Sequence, residues 1–246
     1  QSSMSGMTSS PSSLTLKYWN GRGLMEVPRL LLAIAGKFPT TDYTDARFNA
    51  PADNLESNLG RMPVVSTPEG SVGQSIAINY YIASTNNLLG TTPLEGARII
   101  SVQAHVQEMM DAFRKIVPYG STPTAEDLNK WFDSGATDSS GAADRSKRSE
   151  RFLQWWVGRI EASLDSNGYA IGSQLSLADV ILYNAFAEVL LESERGEGFA
   201  SWRAEPMCSL ARTNKVLETA PKLTSAIEKV KEHAGTKKWL SMRGVQ

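Results

Sequence analysis

The chain has 246 residues, enough for two compact units that share an interface. Its 25 basic and 26 acidic residues leave a net charge of −1, which gives no electrostatic reason to expect a nucleic acid or an anionic membrane as partner. No apolar run approaches the ~20 residues that span a bilayer. The single Cys208 excludes an internal disulfide framework and fits a reducing compartment, and with only His105 and His233 beside it a structural zinc site is not expected.

Residues 1–13 are rich in serine and carry no charge. They read as a loose tail, or as the stump of a removed organelle-targeting segment, which would also be Ser-rich and poor in acids. Residues 14–19 alternate as a half-buried strand does, with Trp19 turned to the core side, and end at the breaker cluster Asn20-Gly21-Arg22-Gly23. A helix follows over residues 24–35, with Leu30, Leu31 and Ile34 inward and Gly36 as its stop. Pro28 is tolerated near its start because first-turn amides have no intrahelical partner. A short strand is expected over residues 40–44.

The stretch Gly60-Arg61-Met62-Pro63-Val64-Val65 carries the densest signal. It predicts a strand entered through proline, a turn at Pro68-Glu69-Gly70, a second short strand, and a helix opening at Gln74-Ser75. Pro63 removes one backbone donor and holds Met62 extended. A cis peptide there would turn the main chain of Met62 outward, where an extended peptide could pair with it as an added strand. Ser75, at a helix N-terminus, offers a hydroxyl and free amides to an anion.

Thr91-Thr92-Pro93 reads as a linker. Beyond it Ile99, Val102, Val106, Met109, Phe113 and Ile116 step by three or four residues along a long amphipathic helix that stops by Gly120. Residues 121–148 are polar and look like an insertion, with one short helical turn at Lys130-Trp131-Phe132 and a solvated helix start at Arg145-Ser146-Lys147-Arg148. Phe152, Trp156 and Ile160 mark another helix, ended near Gly168. Ser176-Leu177-Ala178-Asp179 is a capping box that introduces an apolar helix. A final helix is expected over residues 222–233, with Leu223, Ile227 and Val230 inward.

Two motifs carry a resemblance. Gly60-x-x-Pro63-Val64 followed by Gln74-Ser75-x-Ala77-Ile78 is similar to the glutathione-binding half of the cytosolic glutathione S-transferases. Tyr18-Trp19-Asn20-Gly21-Arg22-Gly23 with Glu26 resembles the tyrosine motif of their sigma-like classes. The likeness implies an α+β architecture: a disordered tail at 1–13, a thioredoxin-like βαβ-ββα domain over 14–89, and an all-α domain over 93–240. It also implies glutathione as co-substrate, a small hydrophobic electrophile as acceptor, a homodimer, and a cytoplasmic location, with an organelle lumen as the alternative. In that family Asp179 is structural, because its box nucleates the central buried helix.

The resemblance assigns roles to residues. Tyr18 would donate its hydroxyl to the glutathione sulfur and favour the thiolate, which is the nucleophile. Arg22 would pack near the Tyr18 ring and tune it. Met62 would pair through its main chain with the cysteinyl part beside Pro63, while Gln74 and Ser75 would hold the γ-glutamyl end. Arg61 would contact the ligand, and Asp111 would reach across a dimer to its amino group. Met109, Met110, Phe113, Tyr119 and Trp239 would line the acceptor site. The chain departs from its relatives at Asn49-Ala50-Pro51-Ala52-Asp53-Asn54, where they carry a tryptophan and a lysine for the glycyl carboxylate and this chain has neither, leaving Arg47 as a substitute. That departure keeps open a second reading, a non-catalytic structural or assembly protein that retains the fold.

Overall fold

The computed structural model describes residues 14–49, 55–134, 150–195, 200 and 205–243. The cluster at 145–148 lies outside the described residues, as do 1–13 and 50–54. Four strands, β1 Thr15–Trp19, β2 Thr44–Phe48, β3 Val64–Thr67 and β4 Gly70–Gly73, form one sheet in the order β2-β1-β3-β4. β1 and β2 are parallel, with Tyr18 opposite Arg47. β3 runs antiparallel to both β1 and β4. The parallel pair needs a crossover, supplied by α1 Glu26–Ile34, whereas the antiparallel pair closes through the two-residue turn Pro68-Glu69. With α2 Ser75–Ser84 this is the thioredoxin-like layout.

Three expectations for this half need correction. The expected strand at 40–44 is a turn: Thr40 has φ 72°, and the Asp42 carboxylate accepts from the Phe38 amide at 2.9 Å. The strand starts only at Thr44, where pairing with Thr15 begins. Trp19 is 42% exposed and not core, because it is the last strand residue and the chain turns away at Asn20. The helix expected from residue 24 begins as a 3-10 turn over Gly23–Met25 and becomes α1 only at Glu26.

The remainder is helical: α3 Pro93–Ile116, α4 Ala125–Asp133, α5 Leu153–Ser163, α6 Leu177–Phe186, α7 Leu210–Leu217, α8 Pro221–Glu232 and α9 Ala234–Arg243. α6 is the hub, packed against α1, α3, α7 and α8. It is apolar nearly all round because every side is covered. Asp179 starts it, accepting from the Ala170 amide (2.7 Å), the Ser176 amide (2.9 Å) and the Ser176 hydroxyl (2.7 Å). Burial nevertheless pushes this carboxyl up to about 6, against those three donated bonds.

Part of the expected insertion is a nine-residue helix. α4 is opened by a capping box between Thr124 and Asp127 and buries Trp131 completely against Phe113. The helix at 221–232 is not the last, since α9 follows and packs on α1. The approach there requires Gly235: a Cβ at that position would lie 2.0 Å from the Ala33 carbonyl oxygen. Among the described residues, no helix is long and apolar enough to cross a membrane.

Candidate functional site

Tyr18 lies near the end of β1, and the chain folds back over it through Gly21-Arg22-Gly23. The Leu24 amide, in the 3-10 turn before α1, donates to the Tyr18 hydroxyl at 3.1 Å. That turn comes within van der Waals reach of the phenol, so a Cβ on Gly23 would sit 2.4 Å from its oxygen. Gly23 also has φ +41°, a conformation glycine adopts without steric cost. Burial raises the Tyr18 pKa above its ordinary value, with the Leu24 bond acting in the opposite direction. The phenol therefore stays protonated at neutral pH, with one lone pair taken by an amide and its own proton available.

This hydroxyl faces a cavity of about 600 Å³ between the sheet domain and the helices. Leu24, Val27 and Ile76 supply apolar wall from one side, and Val106, Met110 and Ile181 from the other. Ser75 at the start of α2 lines the same cavity, as do Arg22, Asp111 and Tyr119. Of the expected acceptor-site residues, Met110 and Tyr119 reach the cavity. Met109, Phe113 and Trp239 do not line it and are at most 1% exposed, packed as core. The Trp239 indole N–H is turned instead toward the Glu26 carboxylate at 2.7 Å.

The proline loop stands apart from that lining. The Met62–Pro63 peptide is cis, and Met62 precedes β3 outside its ladder. Pro63 is buried, and its carbonyl accepts from the side chain of buried Asn58 at 2.9 Å. Asn58 in turn needs Gly73, where a Cβ would approach it to 2.3 Å. Gln74 is exposed with φ 68° and directs the main chain into α2. Arg61 is exposed, its Nε 3.5 Å from the Asn58 carbonyl. Asp111 accepts from the Gln107 side chain at 2.9 Å.

Arg22 pairs with the Glu188 carboxylate and contacts the Glu188 carbonyl at 3.4 Å. Glu188 belongs to a buried charge network that sequence reading missed. Arg243, on α9, reaches Glu26 at 2.6 Å and Glu194 at 2.7 Å, and also pairs with Glu188. Arg29 pairs with Asp45 at 3.0 Å and lies 3.7 Å from Glu26, and Arg47 holds the other oxygen of Asp45 at 3.0 Å. The network ties α9 to α1 and to the end of α6, and reaches the cavity wall through Arg22 and Glu188. Its one sequence signal was the set of charges inside apolar runs, Glu26 and Arg29 in particular.

Fold and cavity together define a two-domain protein in which a sheet-end tyrosine faces an all-helical domain across a cleft. Comparison with known proteins agrees. The family description "Glutathione S-transferase, N-terminal domain" matches residues 14–84, and "Glutathione S-transferase, C-terminal domain" matches residues 126–243. The chain belongs to the cytosolic glutathione S-transferase superfamily. It is similar to a putative glutathione S-transferase alpha-2 of Dictyostelium discoideum, 26% identical over 76% of this chain and 79% of that protein. It is also similar to elongation factor 1-gamma 2 of Oryza sativa subsp. japonica, 27% identical over 61% of this chain; the match spans 34% of that relative's length. In fold it matches the monomeric glutathione S-transferase Na-GST-3 of the hookworm Necator americanus, with a TM-score of 0.68 at 22% identity, covering 94% of this chain and 97% of that one.

Proposed function

We propose that this chain is a glutathione transferase in which Tyr18 stabilises the thiolate of bound glutathione and a small apolar electrophile enters through the interdomain cavity. The observation that carries the reading is the Tyr18 hydroxyl, engaged as acceptor by the Leu24 amide and facing a cavity it shares with Ser75. A hydroxyl that already accepts one hydrogen bond is the better donor to a second partner. A sulfur beside it would be held as thiolate by that O–H. Lowering a thiol pKa by about two units takes about 2.7 kcal/mol of differential stabilisation, the order of one charge-assisted hydrogen bond. The thiolate would attack the electrophilic carbon, forming the S–C bond as the leaving group departs or as the electron pair moves to an acceptor oxygen. Isomerisation or peroxide reduction would use the same groups.

In this reading Met62 pairs with the cysteinyl part through its main chain beside Pro63. Gln74 and Ser75 take the γ-glutamyl end, Arg61 contacts the tripeptide, and Asp111 reaches the ligand's amino group across a homodimer. Arg22 supports the Tyr18 loop through Glu188 rather than by touching the phenol. The sigma-like class, a detoxifying role and a cytoplasmic location belong to the same reading. Passage over immobilised glutathione followed by a thiol-conjugation assay tests it. Retention and turnover that falls steeply in Tyr18→Phe are expected, while flow-through without turnover would sink it.

A second reading, a non-catalytic scaffold, is favoured by one observation. Arg47, the cation available for the glycyl carboxylate, is committed to Asp45. The likeness to elongation factor 1-gamma points the same way. Flow-through in the column assay by a folded chain is its expected result.

A further inference from the structure

The cavity holds a charge that the transferase reading does not use. Two cations line it, Arg22 and Arg114. Arg22 is neutralised by Glu188. The carboxylates that line the cavity are committed elsewhere: Glu188 to Arg22 and Arg243, Glu205 to the Leu210 amide at 2.7 Å, and Asp111 to the Gln107 side chain. Among the described residues, no carboxylate lies within ion-pair distance of Arg114.

Its neighbours are two rings instead. The guanidinium carbon lies 5.5 Å from the centroid of Phe113 and 5.6 Å from that of Tyr119. Phe113 is buried and fixed, whereas Tyr119 is 92% exposed at the cavity rim. Ring faces hold a guanidinium by its plane and leave the N–H fork at its edge free, which is the geometry a carboxylate accepts in a bidentate pair. The Tyr119 phenol in turn lies near enough to that of Tyr18 to raise its pKa. Arg114 thus stands at the rim of the space in which an acceptor must meet the sulfur, on the same face of α3 as Val106 and Met110, with Leu24 and Val27 supplying the wall across the cavity.

Granting the transferase reading above, on which this rests, we infer that Arg114 receives the anionic end of the acceptor, so that the preferred acceptors are apolar electrophiles carrying a carboxylate. The site selects amphipathic enones, epoxides or similar electrophiles whose apolar body lies along the cavity wall and whose carboxylate meets the arginine fork.

The test compares two Michael acceptors, 4-phenylbut-3-en-2-one and its para-carboxylate. With each, the thiolate adds to the β-carbon, the electron pair moves to the carbonyl oxygen, and the resulting enolate takes up a proton. Wild type should turn over the carboxylate with the higher kcat/KM. Arg114→Met should lower that value about tenfold, leave the neutral acceptor within about twofold and leave the KM for glutathione unchanged; Arg114→Lys should recover part of the loss. An equal loss on both acceptors, or a rise in the glutathione KM, overturns the assignment. Calorimetric binding of 4-phenylbutanoate and its methyl ester reads the site without turnover. A preference of wild type for the carboxylate that Arg114→Met abolishes supports the anion site even if neither enone reacts, in which case only the transferase reading fails. No preference in wild type overturns the anion site itself.

Discussion

Replacing Arg243 by methionine should be among the costliest single changes available in this chain. Its guanidinium is 1% exposed and pairs with Glu26, Glu188 and Glu194, while the adjoining side chain of Trp239 also donates to Glu26. The connected network sets Arg22, Arg29, Arg47 and Arg243 against Glu26, Asp45, Glu188 and Glu194, and is balanced in charge. Methionine fills much of the volume but leaves Glu26 with the Trp239 N–H and the more distant Arg29, 3.7 Å away, and takes from Glu194 the cation paired with it. Removing one partner of a buried ion pair costs about 3–5 kcal/mol, chiefly because it strands the opposite charge. For a chain of this size that corresponds to a fall in Tm of roughly 10 °C. A stranded carboxylate can relieve itself by taking up a proton, so the deficit should shrink as the pH is lowered. Urea denaturation of wild type and Arg243→Met at pH 7.5 and pH 5 measures both effects, and adding Glu194→Gln, which removes the carboxylate that loses its paired cation, should recover part of the loss. A deficit below about 1 kcal/mol, or one that does not change with pH, would refute the reasoning.

Gly23→Ala should disable the site at a modest cost in stability. The new methyl must displace the Tyr18 phenol that it would meet at 2.4 Å, so conjugating activity should fall about as far as in Tyr18→Phe, while alanine at φ +41° lowers stability by about 1–2 kcal/mol. A fully active variant would show that the phenol's position is not what matters. Asp179 predicts a pH signature. Its folded pKa of about 6 lies above its ordinary 3.8, so the folded state binds the proton more tightly and this group's contribution to stability falls as the pH rises through that window. The shift is worth about 3 kcal/mol in full. Asp179→Asn removes this slope, so its stability deficit against wild type should be larger at pH 4 than at pH 7; a constant deficit would contradict the burial argument.

The parts of the fold announced by backbone chemistry were legible in the sequence. Pro63, the Pro68-Glu69-Gly70 turn and the Ser176 capping box each restrict the chain locally, and β3, β4, α2 and α6 begin where those residues place them. Elements whose burial is polar were not legible. α9 hides Thr236, Trp239 and Arg243, so it shows no apolar period, and its place is set by ion pairs to residues far away in sequence. β2 was misplaced because β-branched threonines at 40–44 outweighed the turn-forming Asp42. At the site, Tyr18 and Ser75 were identified from motif and meet at one cavity. The Leu24 amide was invisible because a backbone donor has no residue signature. Arg22 was matched to the right loop but its partner was not, since Glu188 lies 166 residues further on and only the fold brings it near.

The most direct test of the central claim is the ionisation of glutathione bound to this chain. Titrating the ultraviolet absorbance of the bound thiolate in wild type and in Tyr18→Phe gives the two thiol pKa values. The account predicts a value about two units below that of free glutathione in wild type and one restored most of the way in the variant. Equal values in the two proteins, or no binding of glutathione at all, would contradict it.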